Sequence, residues 1–301
     1  MKILLTGKDG QVGFELVRTL APLGEVVAVG RADCDLGDAE ALRTLVRTVA
    51  PDVIVNPAAY TAVDKAESER NLAFAVNARA PGILGEEAAR LGALVIHYST
   101  DYVFDGAGHA PWTEADMPAP QSVYGASKFA GERALFEACS RHLILRTSWV
   151  LGSHGGNFAK TMLRLAAERD HLTIVDDQFG APTSAALLAD LTAHLVRQYA
   201  REGGDAFSYG TYHVAAAGET NWWAYARFVL DVAQQAGRQL RAGPDEVMPV
   251  PSSAYPTAAR RPANSRLDTS LFCHTFGLRL PPWQDGVHEV LRRILRSETD
   301  A

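Results

Sequence analysis

The sequence predicts an α/β fold built on a doubly wound parallel sheet, and three observations indicate it. Short apolar runs alternate with helical stretches from residue 1 to about residue 150. The runs are unbroken, as in strands that carry helices on both faces. The first run is followed directly by Gly7-Lys-Asp-Gly10-Gln-Val-Gly13, a strand-to-helix turn of the kind that lets backbone approach phosphate groups.

The elements of the first half follow from these runs. Strands are predicted at 2–6, 25–29, 52–55, 93–98 and 142–147. Helices are predicted between them, at 11–22, 39–49, 70–91 and 122–139. Each strand is thus joined to the next by a helical connection, which is the pattern of right-handed crossovers in a parallel sheet.

After residue 150 the alternation loosens. A helix is predicted near 157–169, a strand near 172–175 and a helix near 184–200. Prolines exclude a continuous helix in 248–256 and 260–266, so both segments are expected to lie as ordered loops across a surface or cleft.

The two halves predict two functional regions. Residues 1–150 are expected to form a dinucleotide-binding domain of the Rossmann type, with part of 172–215 completing its sheet. Residues 151–301 are expected to be mainly a smaller, interleaved substrate-binding region.

Composition excludes several classes of function. The 35 acidic and 29 basic residues give a net charge of −6 with no basic block, so nucleic acid is not an expected partner. The sequence contains no run of about 18 apolar residues, so no membrane span is expected. No secretory signal is expected either, and the predicted location is cytoplasmic. The widely spaced Cys34, Cys139 and Cys273 predict reduced, mostly buried thiols. No histidine spacing suggests a metal-catalysed reaction.

The glycine turn predicts the pyrophosphate site of a dinucleotide. It follows the first strand and opens the first helix, between Gly7 and Gly13, which is the context that phosphate binding requires. The backbone N–H groups around Gly10, Gln11 and Val12 are expected to face phosphate oxygens.

The next two strand ends predict the adenosine contacts. The second strand ends in Arg31, which favours the 2′-phosphate of NADPH, although Asp33 or Asp35 could hold the ribose of NADH. Asp35 and Leu36 are expected to flank the adenine. Small residues follow the third strand, around Ala59, where the backbone would run beside the cofactor or simply pack tightly.

Tyr124 and Lys128 predict acid–base chemistry on a carbonyl. They lie four positions apart in a predicted helix, so one turn places the phenol beside the ammonium. A ketone that accepts hydride needs a proton donor, which Tyr124 can be, and Lys128 is expected to lower the pKa of that phenol. Thr100, at the end of the fourth strand, could bind the substrate oxygen or merely cap the strand.

In this order, the glycine turn, the strand-end Ser99-Thr100 and the Tyr-x-x-x-Lys pair resemble the extended short-chain dehydrogenase/reductase family. The chain is most similar to the dTDP-4-dehydrorhamnose reductases within it. The matching segments cover most of the chain, at 8–13, 56–67, 97–106, 146–150, 157–164, 177–183 and 261–267.

The resemblance implies reduction of the C4 ketone of dTDP-4-dehydro-L-rhamnose to dTDP-L-rhamnose. It also implies that Thr100, Tyr124 and Lys128 form a catalytic triad, with Asp101 and Trp149 contacting the sugar. The implied cofactor contacts are Gly10 to Val12, Asp35, Leu36, Ala59, Tyr60, Thr61, Tyr124 and Lys128.

Members of this group accept NADH or NADPH and can be homodimers with a Mg²⁺ ion held between subunits by carboxylates. Glu15 could belong to such a site, but no further carboxylates of a cluster can be identified in the sequence. Arg261 and Arg266 are candidates for the substrate phosphates, or are simply solvated. Trp222 and Trp223 are expected to be core residues rather than a ligand platform.

Three other activities were compared with reduction. Nucleotide-sugar dehydratases carry Thr-Asp-Glu at this strand end, whereas this chain has Tyr102 in the third position, so reduction is favoured over dehydration. A reductase of a related nucleotide 4-keto sugar stays open, as does an epimerase with tightly bound NAD. A non-catalytic regulatory subunit of the same fold is disfavoured by the intact Thr100, Tyr124 and Lys128.

Overall fold

The computed structural model describes residues 1–299, with helices and strands in close alternation. The strands are β1 (Lys2–Leu5), β2 (Glu25–Ala28), β3 (Val53–Asn56), β4 (Leu94–Thr100), β5 (His142–Thr147), β6 (Val150–Leu151), β7 (Leu172–Val175), β8 (Phe179–Gly180), β9 (Thr183–Ser184), β10 (Gly210–His213), β11 (Thr220–Asn221) and β12 (Val247–Val250). The helices are α1 (Gln11–Leu20), α2 (Ala39–Val49), α3 (Val63–Ala66), α4 (Arg70–Phe74), α5 (Ala80–Leu91), α6 (Val123–Ala138), α7 (Phe158–Glu168), α8 (Ala185–Glu202), α9 (Trp222–Gln235), α10 (Ser270–Phe276) and α11 (Trp283–Thr299).

A six-stranded parallel sheet forms the centre, in the order β10-β5-β4-β3-β1-β2. The order reverses beside β1, because the chain continues to β2 on one side and to β3 on the other. Ligands of open α/β sheets bind outside the carboxyl ends of the strands at such a reversal. Strand β10 extends the sheet from beyond residue 200, so the second half of the chain contributes to the first half's sheet.

Three apolar cores hold the molecule together. One lies between the sheet and α1, α8 and α10, with Leu16, Leu195 and Phe272 in its interior. A second lies on the opposite face, under α2, α5 and α6. The third stands apart from the sheet and joins α7, α9 and α11, with Val229 and Leu291 fully buried. The sheet with its helices and the third core therefore form two packed parts, and a cleft lies beside them.

The elements predicted in the first half agree with the structure to within two residues at nearly every boundary. The predicted helix 70–91 is α4, a π-helical turn (Ala75–Arg79) and α5 in unbroken succession. The helices and strand predicted at 157–169, 172–175 and 184–200 correspond to α7, β7 and α8.

The loop predicted for 248–256 is wrong at its start. Residues up to Val250 form β12, which pairs with β7 in a separate two-stranded parallel sheet. Pro249 is compatible with a strand there because a two-stranded sheet has only edge strands, where a missing N–H is tolerated. The segment 260–266 is irregular, as predicted, apart from a bridge at Asn264.

Other predictions concern the thiols and the membrane. Cys34, Cys139 and Cys273 are free, and the first two are buried, which confirms the prediction of reduced and mostly buried thiols. Among the described residues, no helix is long and apolar enough to cross a bilayer.

Candidate active site

A cavity of about 520 Å³ lies at the carboxyl ends of the central strands. It is lined by every residue predicted to contact the cofactor. These are Gly7, Gly10, Gln11, Val12, Gly13, Arg31, Asp35, Leu36, Ala59, Tyr60, Thr61, Tyr124 and Lys128.

The glycine turn forms one end of this cavity. Helix α1 follows Gly10 with no side-chain cap, so the N–H groups of its first turn are directed to the cavity end and free to meet an anion. Gly7 has φ +62, and a Cβ there would lie 2.9 Å from Ala58. A Cβ on Gly13 would lie 2.0 Å from the Gly7 carbonyl oxygen. The turn thus closes only with glycine and fits a pyrophosphate.

The adenosine end carries one strongly exposed cation. Arg31 has 79% of its side chain exposed, with its guanidinium 3.6 Å from Asp35. Asp33 instead binds the Lys8 ammonium at 2.7 Å and the Gly30 N–H at 2.8 Å. These contacts, led by the Gly30 N–H, lower the pKa of Asp33. Arg31 and Asp35 therefore face the cavity together, and Asp33 is occupied.

Tyr124 lines the cavity, and Thr100 and Asp101 lie beside it. The Thr100 hydroxyl donates to Asp101 Oδ1 at 3.0 Å and lies close enough to the Tyr124 phenol to influence its pKa. Tyr124 lies in the first turn of α6, which Ser122 caps by accepting from the Gly125 N–H. Its ring packs edge-on against Tyr102, with centroids 5.5 Å apart. The sequence of β4 and the capped helix start thus place three polar side chains in one cluster.

The pKa values of this cluster reflect burial. Desolvation raises the pKa of Tyr124 to about 12, although the hydrogen bond with Thr100 opposes the shift. Desolvation also raises the pKa of Asp101 to about 6, against hydrogen bonds from Ser265 and Thr100. At neutral pH the phenol therefore carries its proton.

The expected lowering of the Tyr124 pKa by Lys128 is wrong for this structure. Lys128 Nζ donates to the Tyr98 carbonyl oxygen at 2.6 Å and lies 3.2 Å from His97 Nε2. Desolvation lowers the pKa of Lys128 itself to about 8. Burial raises the pKa of the phenol more than any charge of the lysine lowers it. The spacing of four residues therefore correctly predicts that both groups line the cavity, but it does not predict their electrostatic interaction.

Trp149, which is predicted to contact the sugar, lies on the side of the third core. Trp149 has φ +48, which is rare for a bulky residue, and its ring stacks on Trp222 with centroids 3.7 Å apart. Trp222 and Trp223 are half-buried against the third core, as expected of core residues. Strain at a non-glycine residue is typical of functional sites, which draws attention to Trp149.

The two candidate phosphate-binding arginines differ in their surroundings. Arg261 binds Asp64 at 2.6 Å and lies near Tyr102, the tyrosine that packs on Tyr124. Desolvation raises the pKa of Tyr102, and the Arg261 charge opposes this shift. Arg266 lies over the Phe179 ring at 4.5 Å and pairs with Glu219 at 2.7 Å. The structure therefore brings Arg261 near the cluster of Thr100, Asp101 and Tyr124, and engages Arg266 in packing and in its ion pair.

Glu15 is not part of a carboxylate cluster. Its carboxylate is buried and pairs with the Arg293 guanidinium of α11 at 3.0 Å. Arg293 also binds Glu289 at 2.6 Å. In the part of the chain that the structure describes, no three His, Cys, Asp or Glu side chains are grouped to hold a metal. The magnesium ion and the homodimer stay predictions without support from this chain.

Several cavity residues were not predicted from the sequence. Gly155 and Gly156 reach the cavity because Gln11 binds the loop before them, accepting from the Gly152 N–H at 2.8 Å. The glycine-rich run 152–156 was the only signal for this loop. The remaining unpredicted lining residues are mostly apolar or small: Asp9, Gly30, Cys34, Pro57, Ala58, Leu72, Val76, Tyr98, Ser99, Thr147 and Val150.

Comparison with known proteins agrees with this geometry. A family model described as the RmlD substrate binding domain matches residues 1–296. The dTDP-4-dehydrorhamnose reductase of Escherichia coli (strain K12) is 52% identical over 298 residues, which are 98% of each chain. The chain belongs to the dTDP-4-dehydrorhamnose reductase family. It is accordingly an NAD(P)H-dependent oxidoreductase.

Solved structures of this reductase family have the same fold. The dTDP-4-dehydrorhamnose reductase of Clostridium acetobutylicum ATCC 824 is 33% identical with a TM-score of 0.90, covering 98% of this chain and all of that one. The enzyme of Bacillus anthracis str. Ames, in complex with NADP, is 33% identical with a TM-score of 0.86, over 97% and 98% of the two chains. The Rossmann-type fold predicted from the sequence is thereby confirmed.

Proposed function

We propose that this protein reduces the C4 ketone of dTDP-4-dehydro-L-rhamnose with NADPH or NADH, giving dTDP-L-rhamnose, and that Tyr124 donates the proton. The observation that carries the proposal is the position of Tyr124. Its side chain lines the same cavity as the glycine turn and stands beside Thr100. The family relationship supplies the nature of the sugar.

The cofactor, when bound, supplies a hydride to C4 of the sugar. The oxygen at C4 then develops negative charge and needs a proton within hydrogen-bond reach. Tyr124 has this proton at neutral pH because its pKa is about 12. Phenol is still a far stronger acid than the alcohol being formed, so transfer of the proton to the C4 oxygen is downhill. The new C–H and O–H bonds complete the reduction.

Neighbouring residues orient the sugar and the acid. The Thr100 hydroxyl holds the phenol, and the adjacent Asp101 carboxylate can accept from a sugar hydroxyl. Trp149 offers an apolar ring of the kind that packs on a pyranose. Arg261, next to Tyr102, is the cation proposed for the diphosphate. Lys128 is proposed to bind the nicotinamide ribose through its ammonium.

NADPH is the proposed preferred cofactor. Arg31 is exposed at the rim where a 2′-phosphate would lie, and it can pair with that group. Asp35 is close enough to accept from a ribose hydroxyl, so NADH is expected to bind as well, only less tightly.

Turnover of the keto-sugar tests the function. Purified protein is mixed with NADPH and dTDP-4-dehydro-L-rhamnose, nucleotide oxidation is followed by absorbance, and the product is identified by NMR. We expect one NADPH consumed for each dTDP-L-rhamnose formed. Sugar inversion without net NADPH consumption would indicate an epimerase, and cofactor binding without turnover would indicate a regulatory subunit. Offering related 4-keto nucleotide sugars in competition measures the substrate preference.

A further inference from the structure

Four polar side chains form a buried hydrogen-bonded series that ends on Lys128. The Thr6 hydroxyl lies 2.6 Å from Asn56 Oδ1, the Asn56 amide lies 3.0 Å from His97 Nδ1, and His97 Nε2 lies 3.2 Å from Lys128 Nζ. All four residues are 2% exposed or less. Thr6 directly follows β1, Asn56 ends β3, His97 lies in the middle of β4 and Lys128 lies in α6, so the series crosses three adjacent strands below the cavity.

Burying these four polar side chains costs free energy, which a functional role would offset. Each member is removed from water, and a buried polar group must be paired to avoid a penalty. Apolar side chains would fill the same space between the sheet and α6 without that demand. The series reaches the cavity only through Lys128, because Thr6, Asn56 and His97 do not line it. Its consequence for the site is therefore whatever it does to the ammonium.

A charged lysine fixes the tautomer of its histidine partner. An ammonium has three N–H donors and no lone pair, so His97 Nε2 must accept and the imidazole proton must sit on Nδ1. The Asn56 amide nitrogen is the atom placed 3.0 Å from Nδ1, and the Thr6 hydroxyl donates to Asn56 Oδ1. Turning the amide by about 180° presents Asn56 Oδ1 to Nδ1–H and the NH₂ group to the Thr6 hydroxyl, an exchange that leaves the heavy-atom positions unchanged. The Asn56 backbone is a second acceptor for Nδ1–H, because a hydrogen bond with it raises the pKa of His97 against desolvation.

We propose that His97 is a positioning residue that holds the Lys128 ammonium through Nε2, and that Asn56 and Thr6 fix its imidazole as the Nδ1–H tautomer. Together with the Tyr98 carbonyl oxygen, His97 occupies two of the three N–H groups of Lys128. The third is left for the cavity. This role deepens the proposed function, because it determines where the ammonium stands beside Tyr124.

The surroundings of both groups agree with a neutral imidazole beside a charged lysine. Desolvation and the Lys128 charge lower the pKa of His97 well below its usual value, so the ring accepts rather than repels. In α6, Tyr124 lies one turn before Lys128 and Glu132 lies one turn after it. The Glu132 carboxylate favours the ammonium but is shared with the Arg146 guanidinium at 2.7 Å. Among the side chains of β4, His97 is the one that accepts a hydrogen bond from the Lys128 ammonium.

The first test reads the tautomer directly. Protein labelled with ¹⁵N in the histidine rings is examined by NMR without ligands, and the His97 signals are assigned by their loss in His97→Leu. At about pH 7 we expect Nδ1 to carry the proton and Nε2 to carry none. A proton on Nε2 would overturn the proposal, because that nitrogen could not accept from an ammonium.

The second test measures the effect on Lys128 through cofactor affinity. The Kd for NADPH is measured against pH in wild type, His97→Leu and His97→Gln. Leucine removes the acceptor, which disfavours the ammonium, so the loss of affinity at high pH should begin about one pH unit lower, a roughly tenfold change in the protonation equilibrium. Glutamine can place its amide oxygen near the Nε2 position and should return the midpoint towards wild type.

An unchanged midpoint in His97→Leu, or no recovery in His97→Gln, would overturn the proposal. If the leucine variant does not fold, as judged by circular dichroism, Thr6→Val is the second variant. It removes the far end of the series at nearly constant volume, and a smaller shift in the same direction is expected, whereas no shift would count against the role. Neither the NMR signals nor the Kd for NADPH requires the sugar. Failure to turn over the keto-sugar would therefore refute the proposed function, whereas the role of His97 would still be decided by these two measurements.

Discussion

The cofactor side and the substrate side of this molecule are built in different ways. The cofactor cavity is formed by short segments at successive strand ends, each shaped by its own backbone, as at Gly7 and Gly13. The substrate side depends on contacts between residues far apart in sequence. Trp149 stacks on Trp222, and Arg261 reaches back across the fold to Asp64.

The two sides differ in the contacts that hold their residues in place. A strand end and the helix that follows it fix the direction of a few N–H groups almost locally, whatever the rest of the chain does. The stacked Trp149 ring is in place only when the third core has assembled, and the Arg261 guanidinium only when its segment has met Asp64 of α3. We therefore expect changes on the cofactor side to have sharp, local effects, and changes on the substrate side to be weaker and to alter sugar binding alone.

The largest effect is expected where the two sides meet. Tyr124→Phe removes the proton donor while keeping the ring, so kcat should fall by about 10²- to 10⁴-fold with little change in the Kd for NADPH. Stopped-flow absorbance and a fluorescence titration measure the two quantities. Tyr199→Phe, in α8 and packed on Phe207, is the control. Wild-type kcat in Tyr124→Phe would reject the assignment of the acid.

The next effect lies wholly on the cofactor side. Gly13→Ala places a Cβ 2.0 Å from the Gly7 carbonyl oxygen, so the turn must open and the affinity for NADPH should drop by about 100-fold. Gly156→Ala is a matched change in the same cavity, where a Cβ meets nothing within 4 Å, and its effect should be far smaller. Equal losses in the two variants would show that crowding at the turn is not the cause.

A smaller effect separates the two cofactors. Arg31→Ala removes the cation proposed to pair with the 2′-phosphate, so the Kd for NADPH should rise about tenfold while the Kd for NADH stays nearly constant. Isothermal titration with each cofactor measures this. NADH serves as the internal control because it lacks that phosphate. A parallel loss for both cofactors would mean that Arg31 acts on something they share.

The smallest effect is expected on the substrate side. Trp222→Ala removes the ring on which Trp149 stacks, so KM for the keto-sugar should rise about threefold to tenfold with the Kd for NADPH unchanged. Trp223→Phe changes the neighbouring indole, which donates to the Val247 carbonyl oxygen instead, and should leave KM as it is. A change in cofactor affinity in Trp222→Ala would contradict the separation of the two sides.

The accuracy of the predictions from sequence also differs between features set by local patterns and features set by distant contacts. The apolar runs predict β1 to β5 closely. The glycine turn, Arg31 and the Tyr124–Lys128 spacing predict residues that line one cavity, because each is a local pattern, either at a strand end or on one turn of a helix. The strand at Val247–Val250 was missed because Pro249 argues against a strand unless the partner and the edge are known.

Side-chain environments are predicted less well. The sequence places Lys128 one turn from Tyr124, but it does not reveal that the ammonium is held by His97 and the Tyr98 carbonyl oxygen. His97 carries no sequence signal of its own, since its partners Asn56 and Lys128 lie 41 and 31 positions away. Burial, which sets the Tyr124 pKa, also depends on the assembled fold.

The central claim is that the Tyr124 phenol delivers the proton to the C4 oxygen. A crystal structure of the protein with NADPH and dTDP-L-rhamnose, the proposed product, tests it most directly. We expect the Tyr124 hydroxyl within about 3.2 Å of the sugar O4, with Thr100 on its other side. A sugar bound with O4 out of reach of Tyr124, and closer to another proton donor, would contradict the mechanism.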